Sequence, residues 1–198
     1  MTRLLCATGN PGKLREFRLA AAHAPVEVDL LPDFRAIAPC VEDGATFEEN
    51  AIIKARYYGR HASGMLFADD SGLEVDALGG APGIYSARFS GQNANDLSNN
   101  RLLLEKLQGV KNRAARFVCA IAVVEGEVVL GVYRGAVEGF ILDAPRGGDG
   151  FGYDPLFFYP PFGCTFGEAG EHDKFSVSHR GQALLAMLAD LAKRGLVR

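Results

Sequence analysis

The first third of the chain alternates short apolar runs with polar segments that contain glycine or proline. Residues 3–8 (RLLCAT) predict a short buried strand, a turn follows at 9–12 (GNPG), and a helix is expected from Lys13 to about Ala22. Residues 26–30 alternate apolar with acidic positions like a half-buried strand, and 32–45 read as a polar loop. Strand, glycine turn and helix in this order suit an anion site.

A long helix is predicted after this loop. Thr46 and Glu49 have the Thr-x-x-Glu spacing of a capping box, and the helix is expected to reach about His61. Its buried face is predicted to consist of Phe47, Ala51, Ile52 and Ala55.

The middle of the chain is predicted to be mostly sheet. Residues 65–68 form a short apolar strand that runs into an acidic turn at 69–72, which places the acidic pair at the end of a strand. Further along, the pattern predicts a strand at 73–77, a glycine-rich loop at 79–93, a helix at 94–107, and a hairpin of 115–124 with 128–137.

The C-terminal part begins with an irregular stretch at 145–155, which leads through 156–158 to a loop around Pro160. The last element is a helix from about Arg180 to Lys193, with Gly195 as its stop. The order of elements predicts an α/β protein with one mixed, twisted sheet and flanking helices. No linker or repeat interrupts the chain, so residues 1–198 are expected to form a single domain.

Composition narrows the class of protein. With 48% hydrophobic and 23% charged residues the chain can bury a core, and no apolar run approaches the roughly 20 residues that a membrane helix needs. The net charge of -3 argues against a sequence-independent grip on nucleic acid, which requires a basic surface. The N-terminus lacks the apolar stretch of a signal peptide, and the four cysteines are far apart in sequence. We therefore expect a cytoplasmic protein with free thiols.

The segment Thr8-Gly9-Asn10-Pro11-Gly12-Lys13 is a candidate phosphate site. Glycines let backbone N–H groups approach an anion, and Lys13 stands at the positive end of the predicted helix. It is not a Walker A motif, because two residues rather than four separate the glycines and Leu14 follows the lysine. An ordinary strand-turn-helix connection remains an alternative.

Three acidic residues form a candidate magnesium site. Glu42 precedes the long helix, and Asp69 and Asp70 follow an apolar strand. Carboxylates and water are the usual ligands of Mg²⁺, which assists hydrolysis of phosphoric anhydrides. Two adjacent residues of a strand point to opposite faces of the sheet, so only one of the two aspartates can face the ligand-binding crevice. The other aspartate is expected to have a structural role. A turn with solvated acids is the alternative.

Two further segments could recognise a base. Gly150 and Gly152 flank Phe151, which could then stand clear of its backbone as a stacking platform, or else anchor a loop into the core. Lys174 and the Ser178-His179-Arg180 segment offer donors for a purine carbonyl edge, although Ser178 also suits a simple helix cap.

Taken together, these pieces resemble the inosine triphosphate pyrophosphatase family, also described as dITP/XTP pyrophosphatases. The resemblance covers nearly the whole chain. It rests on the stretches TGNPGK at 8–13, EDGATFEENAIIKA at 42–55, ADDSGLEVDALGGAPGIYSARFSG at 68–91, GFGYDP at 150–155 and SHRGQAL at 178–184.

The resemblance implies an elongated α/β protein with a long central mixed sheet and two lobes around a cleft, usually a homodimer. It implies Mg²⁺-dependent cleavage between the α and β phosphates of deaminated purine triphosphates (ITP, dITP and XTP). Glu42 and Asp70 would hold the metal, with Asp70 as proton acceptor for water and Lys13 supplying charge. The substrate would contact Thr8, Gly9, Asn10, Pro11, Gly12, Lys13, Ser71, Phe151, Gly152, Tyr153, Asp154, Lys174, His179 and Arg180.

Phe175 departs from this pattern, because family members often carry a small or amide residue after the lysine. The fine shape of the base pocket, the role of Asp69 and the ranking of ITP, dITP and XTP are left open. There are two alternative hypotheses: a Maf-type pyrophosphatase, and a nucleotide-binding regulator without turnover.

Overall fold

The computed structural model describes residues 2–197. The helices are α1 (Pro11–Ala20), α2 (Phe47–Gly59), α3 (Asp96–Lys106), α4 (Glu171–Val177) and α5 (His179–Lys193). The strands are β1 (Thr2–Cys6), β2 (Val26–Leu30), β3 (Met65–Val75), β4 (Ala114–Glu125), β5 (Val128–Ile141), β6 (Phe157–Tyr159) and β7 (Cys164–Thr165). Short 3₁₀ helices cover Phe34–Ala36, Asp76–Leu78, Gly83–Arg88 and Pro160–Phe162.

Within the described residues, seven strands form one sheet in the order β2-β1-β3-β4-β5-β6-β7. Strand β1 runs parallel to both β2 and β3, whereas β6 is antiparallel to β5 and to β7. The sheet is therefore mixed, and the predicted α/β fold class with flanking helices is confirmed. The predicted hairpin is confirmed as β4 and β5, which a two-residue connection joins.

The chain divides into two compact units. The first consists of residues 1–70, 119–135 and 178–198, and its core packs apolar side chains of β1, β2 and β4 against helices α1 and α5. Phe17 of α1 and Phe67 of β3 are fully buried there and meet edge to face. This packing fixes the N-terminal ends of α1 and α5, where several of the predicted site residues lie.

The second unit consists of residues 71–118 and 136–177. Its core contains an aromatic cluster of Phe117, Phe157 and Phe166, packed with Leu103 of α3 and with Leu107, the C-cap of that helix. The prediction of a single domain stays a prediction, and its first and last residues, Met1 and Arg198, lie outside the described part of the chain.

Helix α1 begins two residues earlier than predicted. The sequence pattern predicted a turn at Pro11 and Gly12. In the structure Asn10 is the N-cap and Pro11 is the first helical residue. Proline suits this position because the first N–H groups of a helix have no partner within the helix.

The predicted capping box of α2 is only half formed. Thr46 Oγ1 accepts a hydrogen bond from the Glu49 N–H, as expected. The Glu49 carboxylate instead accepts from the N–H of Ala45, at 2.6 Å. The helix start is still capped, and the carboxylate also orders the end of the preceding loop.

The expectation that Asp69 and Asp70 lie at the end of a strand is wrong. Strand β3 is continuous over eleven residues, and both aspartates lie within it. A buried carboxylate in a strand is tolerated when it is paired, and both have cationic partners from neighbouring helices.

Several short elements were not predicted, namely α4, β7 and the 3₁₀ helices. Each is too short to show a hydrophobic period. No helix within residues 2–197 is long and apolar enough to cross a membrane.

Candidate active site

The turn after β1 caps helix α1 with its own side chains. Asn10 Oδ1 accepts from the N–H groups of Gly12 at 2.8 Å and Lys13 at 3.2 Å. Thr8 Oγ1 accepts from the N–H of Asn10 at 3.2 Å. Residues 9–11 are exposed at this helix terminus, whose partial positive charge favours an anion. The predicted phosphate segment is therefore a pre-ordered helix start.

Lys13 points its ammonium group at Asp69. The Nζ–Oδ2 distance is 2.7 Å, and the side chains are 18% and 2% exposed. Burial acts to raise the pKa of Asp69, but attraction from Lys13, Lys54 and Arg180 outweighs it and holds the pKa below the usual value. Asp69 thus holds Lys13 in place, which gives the first aspartate the structural role that the alternation of a strand requires.

Asp70 has a different set of partners, both from helix α2. Asn50 Nδ2 donates to Oδ2 and Lys54 Nζ donates to Oδ1, each at 3.1 Å. Lys54 Nζ also lies 2.8 Å from the carboxylate of Glu42. Burial raises the pKa of Asp70 by more than Lys54 and its other partners lower it. Glu42 and Asp70, the two predicted metal ligands, therefore converge on one cationic group.

Asn50 connects the loop that carries Glu42 to the strand that carries Asp70. Its Oδ1 accepts from the N–H of Gly44 at 2.9 Å while its Nδ2 donates to Asp70, and the residue is 1% exposed. A Cβ on Gly44 would come within 2.8 Å of Asn50 Oδ1, so only glycine fits this approach without a shift. The amide thus fixes two segments of the candidate site at once.

The donor set fits a hydrated divalent cation. Among residues 2–197 there is no group of three or more His, Cys, Asp or Glu side chains arranged to hold a metal. Magnesium, however, is commonly held by one or two carboxylates and completed by water and substrate oxygens. The ammonium group of Lys54 contacts the carboxylates of both Glu42 and Asp70, so a positive charge is bound by both residues at this position.

A second buried ion pair lies at the start of α5. Arg180, 6% exposed, contacts the Glu16 carboxylate of α1 at 2.8 Å, and Ser178 caps the helix through the N–H of Gly181. Burial opposes the charge of Arg180, but Glu16 and Asp69 raise the pKa of its guanidinium above the usual value. His179 is also buried. His179 and Arg180, the donors of this segment that were predicted to contact the base, are therefore buried in the first unit. Arg180 forms an ion pair with Glu16 there.

The Phe151 loop belongs to the second unit. Gly150 and Gly152 have φ of +79° and +64°, so the glycines flank Phe151 in left-handed conformations that other residues rarely adopt. Phe151 is partly exposed, and its N–H donates to Asp154 Oδ2 at 2.8 Å. Lys174 Nζ lies 2.6 Å from the same Asp154 oxygen and 5.1 Å from the Phe151 ring centroid. Phe151, Asp154 and Lys174 thus form one cluster, whereas the sequence-based prediction grouped Lys174 with the Ser178-His179-Arg180 segment.

Tyr153 has a different role from Phe151. Its ring is buried in the core of the second unit, and its hydroxyl donates to the carbonyl of Ser86 at 2.8 Å. Burial raises its pKa well above the usual value. Tyr153 therefore anchors the loop. Ser71, the remaining predicted contact, is partly exposed and follows Asp70 on β3.

Sequence reasoning missed five polar residues that hold these clusters. Lys54 and Asn50 are four residues apart on α2, and Asp96 and Asn100 have the same spacing on α3. Glu16 lies in α1 next to the buried Phe17. The available signal was a polar side chain at a position that helical periodicity assigns to the core face.

Comparison with known proteins identifies the family. The model of the Ham1 family matches residues 4–190. This chain belongs to the Ham1 family. A dITP/XTP pyrophosphatase of Syntrophobacter fumaroxidans is 54% identical over 93% of this chain and 79% of its own length. One from Exiguobacterium is 47% identical over 96% of both chains.

Solved structures of Ham1 proteins share this fold. A HAM1 protein from Coxiella burnetii superposes with a TM-score of 0.86 at 37% identity, over 98% of this chain and all of its own. The Ham1 protein of Staphylococcus aureus gives the same TM-score, identity and coverage. The Ham1 relationship therefore holds at both sequence and structural level.

Proposed function

We propose that this Ham1 protein is a Mg²⁺-dependent nucleoside triphosphate pyrophosphatase. It hydrolyses ITP, dITP and XTP to the monophosphate and pyrophosphate, and so keeps deaminated purines out of DNA and RNA. The curated relatives named dITP/XTP pyrophosphatases support the substrate class. The observation that carries the proposal is the cluster in which Lys54 contacts both Glu42 and Asp70.

Asp70 is the proton acceptor in this proposal. Its raised pKa makes the carboxylate a stronger base than an exposed aspartate, and Asn50 and Lys54 fix both of its oxygens. A water molecule that donates a hydrogen bond to Asp70 gives up its proton there as it attacks the α-phosphorus, and the bond from this phosphorus to the α–β bridging oxygen breaks to release pyrophosphate. Glu42 and Asp70 would hold Mg²⁺, which would supply Lewis-acid chemistry at the triphosphate.

The triphosphate is assigned to the start of α1. The exposed turn at 9–11 and the charge of Lys13 attract phosphate, and the pairing with Asp69 keeps the lysine extended towards one position. Lys54 adds a second positive charge that offsets charge developing on the departing pyrophosphate.

The base is assigned to the Phe151 loop. A partly exposed ring between two left-handed glycines provides a stacking surface, and Lys174 is a donor for a 6-oxo group. Adenine carries an amino group at that position, so its binding would leave a buried donor without an acceptor. His179 and Arg180 complete the proposed set of base contacts.

We also propose that the enzyme works in the cytoplasm as a homodimer on free nucleotides rather than on nucleic acid. Its net charge of -3 and the free state of its four cysteines agree with this placement.

The proposal is tested by measuring pyrophosphate release from ITP, XTP, ATP, GTP, dTTP and UTP, with and without Mg²⁺. We expect Mg²⁺-dependent IMP and pyrophosphate from ITP, with ATP and GTP far slower. Inosine diphosphate plus orthophosphate would refute the cleavage site, and a preference for dTTP or UTP would refute the base assignment. Asp70→Asn should abolish hydrolysis while ITP binding is retained.

A further inference from the structure

Helix α3 binds both backbone polar groups of Gly152, a residue of the Phe151 loop (residues 150–155). Asp96, in its first turn, accepts from the N–H of Gly152 at 2.7 Å. Asn100, one turn later, donates from Nδ2 to the carbonyl of Gly152 at 2.9 Å. Residues four apart on a helix project from the same face, so α3 presents one acceptor and one donor to a single glycine.

The other side of Phe151 is held by Asp154. This carboxylate, 3% exposed, accepts from the N–H of Phe151 and from Lys174. A Cβ on Gly150 would lie 2.2 Å from Asp154 Oδ2, so the loop closes tightly on this side as well. The backbone of Phe151 is therefore fixed on both sides, although the loop has no regular secondary structure.

The ring direction of Phe151 depends on this backbone. Gly152 has φ of +64°, a conformation that the two hydrogen bonds from α3 hold in place. A glycine free of such bonds would sample many conformations and would carry the adjacent ring with it. A stacking surface whose orientation is fixed before the ligand arrives binds more tightly, because less conformational entropy is lost on binding.

We propose that Asp96 and Asn100 are positioning residues that orient Phe151 for purine stacking and so set the affinity of the enzyme for the base. The inference rests on the proposed function, in which Phe151 stacks on the base. Neither residue is a catalytic residue, because each acts through Gly152.

Kinetics of Asn100→Asp and Asp96→Asn test the inference. Asn100→Asp keeps the shape but loses the donor and sets a carboxylate against the Gly152 carbonyl. We expect the KM for ITP to rise about tenfold with kcat within about twofold, which corresponds to roughly 1.4 kcal/mol of lost binding. Asp96→Asn retains an acceptor without its charge and should give a smaller rise. Arg101→Ala, on an exposed position of the same helix, is the control and should leave KM unchanged.

Inorganic tripolyphosphate separates the base from the phosphate part of the site. It lacks a base, so its inhibition constant against ITP should be the same in wild type and in Asn100→Asp. A parallel rise in that constant would overturn the inference, because α3 would then act on the phosphate site or on folding.

A double-variant cycle shows whether Asn100 acts through the ring. In a Phe151→Ala background, Asn100→Asp should leave the KM for ITP unchanged, since the oriented ring is gone. A further tenfold rise in that background would refute the positioning role.

Fluorescence gives a readout that does not need turnover. The chain contains no tryptophan, so Phe151→Trp introduces a single reporter at the platform. IMP should quench it with a Kd that rises about tenfold when Asn100→Asp is added, and an unchanged Kd would contradict the inference. If wild-type protein fails to hydrolyse ITP, the proposed function is lost; if it succeeds and the α3 variants behave like wild type, only the positioning role is lost.

Discussion

At the residue scale, neighbouring polar side chains of the candidate site have different roles. Asp69 and Asp70 are adjacent in sequence, yet their pKa values shift in opposite directions. Nearby cationic side chains, Lys13 foremost, lower the pKa of Asp69, whereas burial raises the pKa of Asp70. Functional sites typically shift the pKa values of two chemically similar groups in opposite directions, so that the two groups can have separate roles. The structure therefore separates a carboxylate that places a lysine from one that is a candidate base.

Asn50 is the residue whose loss should affect the candidate base most directly. Asn50→Leu removes the donor to Asp70 and leaves the N–H of Gly44 without its acceptor. We expect kcat for ITP to fall by about 100-fold, since oriented catalytic groups lose rates of this size when misplaced. Steady-state kinetics measure it, with Arg56→Ala on the exposed face of α2 as control. A wild-type kcat would show that Asp70 needs no second partner.

Gly44 should be as sensitive as Asn50. In Gly44→Ala the new methyl group meets Asn50 Oδ1 and Glu49 Cβ at 2.8 Å, so the loop carrying Glu42 must shift. We expect a loss of about 1–3 kcal/mol in stability, measured by urea unfolding, together with weaker Mg²⁺ activation. Gly148→Ala is the matched control, because nothing lies within 4 Å of the added atom. Equal behaviour of the two variants would refute the close approach at Gly44.

At the element scale, the local sequence predicted the elements that have a strong hydrophobic pattern. The prediction failed where contacts with residues far away in the sequence determine the secondary structure. The hairpin of β4 and β5 was predicted because its apolar run is long. Strand β3 was broken in the prediction because the sequence Asp69-Asp70-Ser71-Gly72 favours a turn locally. Lys13, 56 residues away from Asp69, supplies the pairing that lets the strand continue. The α3 contacts to Gly152, 56 and 52 residues apart in sequence, were missed for the same reason.

The contact between β5 and α5 has a pH dependence whose sign can be derived. The Tyr133 hydroxyl donates to Asp190 at 2.5 Å, and burial with this bond raises the pKa of Tyr133 to about 12. The same bond, together with Arg194, lowers the pKa of Asp190. A lowered carboxylate pKa stabilises the fold above its unfolded value of about 4, and this stabilisation is lost as the pH falls through the folded value.

Tyr133→Phe should therefore cost stability at pH 7 and cost less in acid. Urea unfolding at about pH 7 and about pH 3 measures the difference from wild type, which we expect to shrink as Asp190 is protonated. Tyr85→Phe, at an exposed tyrosine, should show no such trend. A difference that grows in acid would mean that the bond does not favour the charged carboxylate.

At the scale of the whole molecule, the candidate site residues divide between two units that have separate cores. Thr8 to Lys13, Glu42, Asp70 and the α5 residues belong to the first unit, and the Phe151 loop with Lys174 belongs to the second. Sequence motifs made both sets candidates because most of these motifs combine charged or aromatic residues with glycine, and their roles stay predictions. The residues that orient them, such as Asn50 and Asn100, carry no motif and became visible only through their contacts.

This division predicts two kinetic signatures. Glu42→Gln alters the unit assigned to phosphate chemistry, so it should lower kcat/KM for ITP and ATP by the same factor and weaken Mg²⁺ activation. Phe151→Leu alters the unit assigned to the base, so it should raise the KM for ITP and, by holding the base less firmly against the Lys174 donor, reduce the ratio of kcat/KM for ITP to that for ATP. Parallel kinetics with both nucleotides distinguish the two, because an interaction with phosphate is common to all triphosphates while the Lys174 donor distinguishes a 6-oxo from a 6-amino purine. If Glu42→Gln changed the ITP-to-ATP ratio and Phe151→Leu did not, base recognition would have to be reassigned to the first unit, where Arg180 and His179 lie.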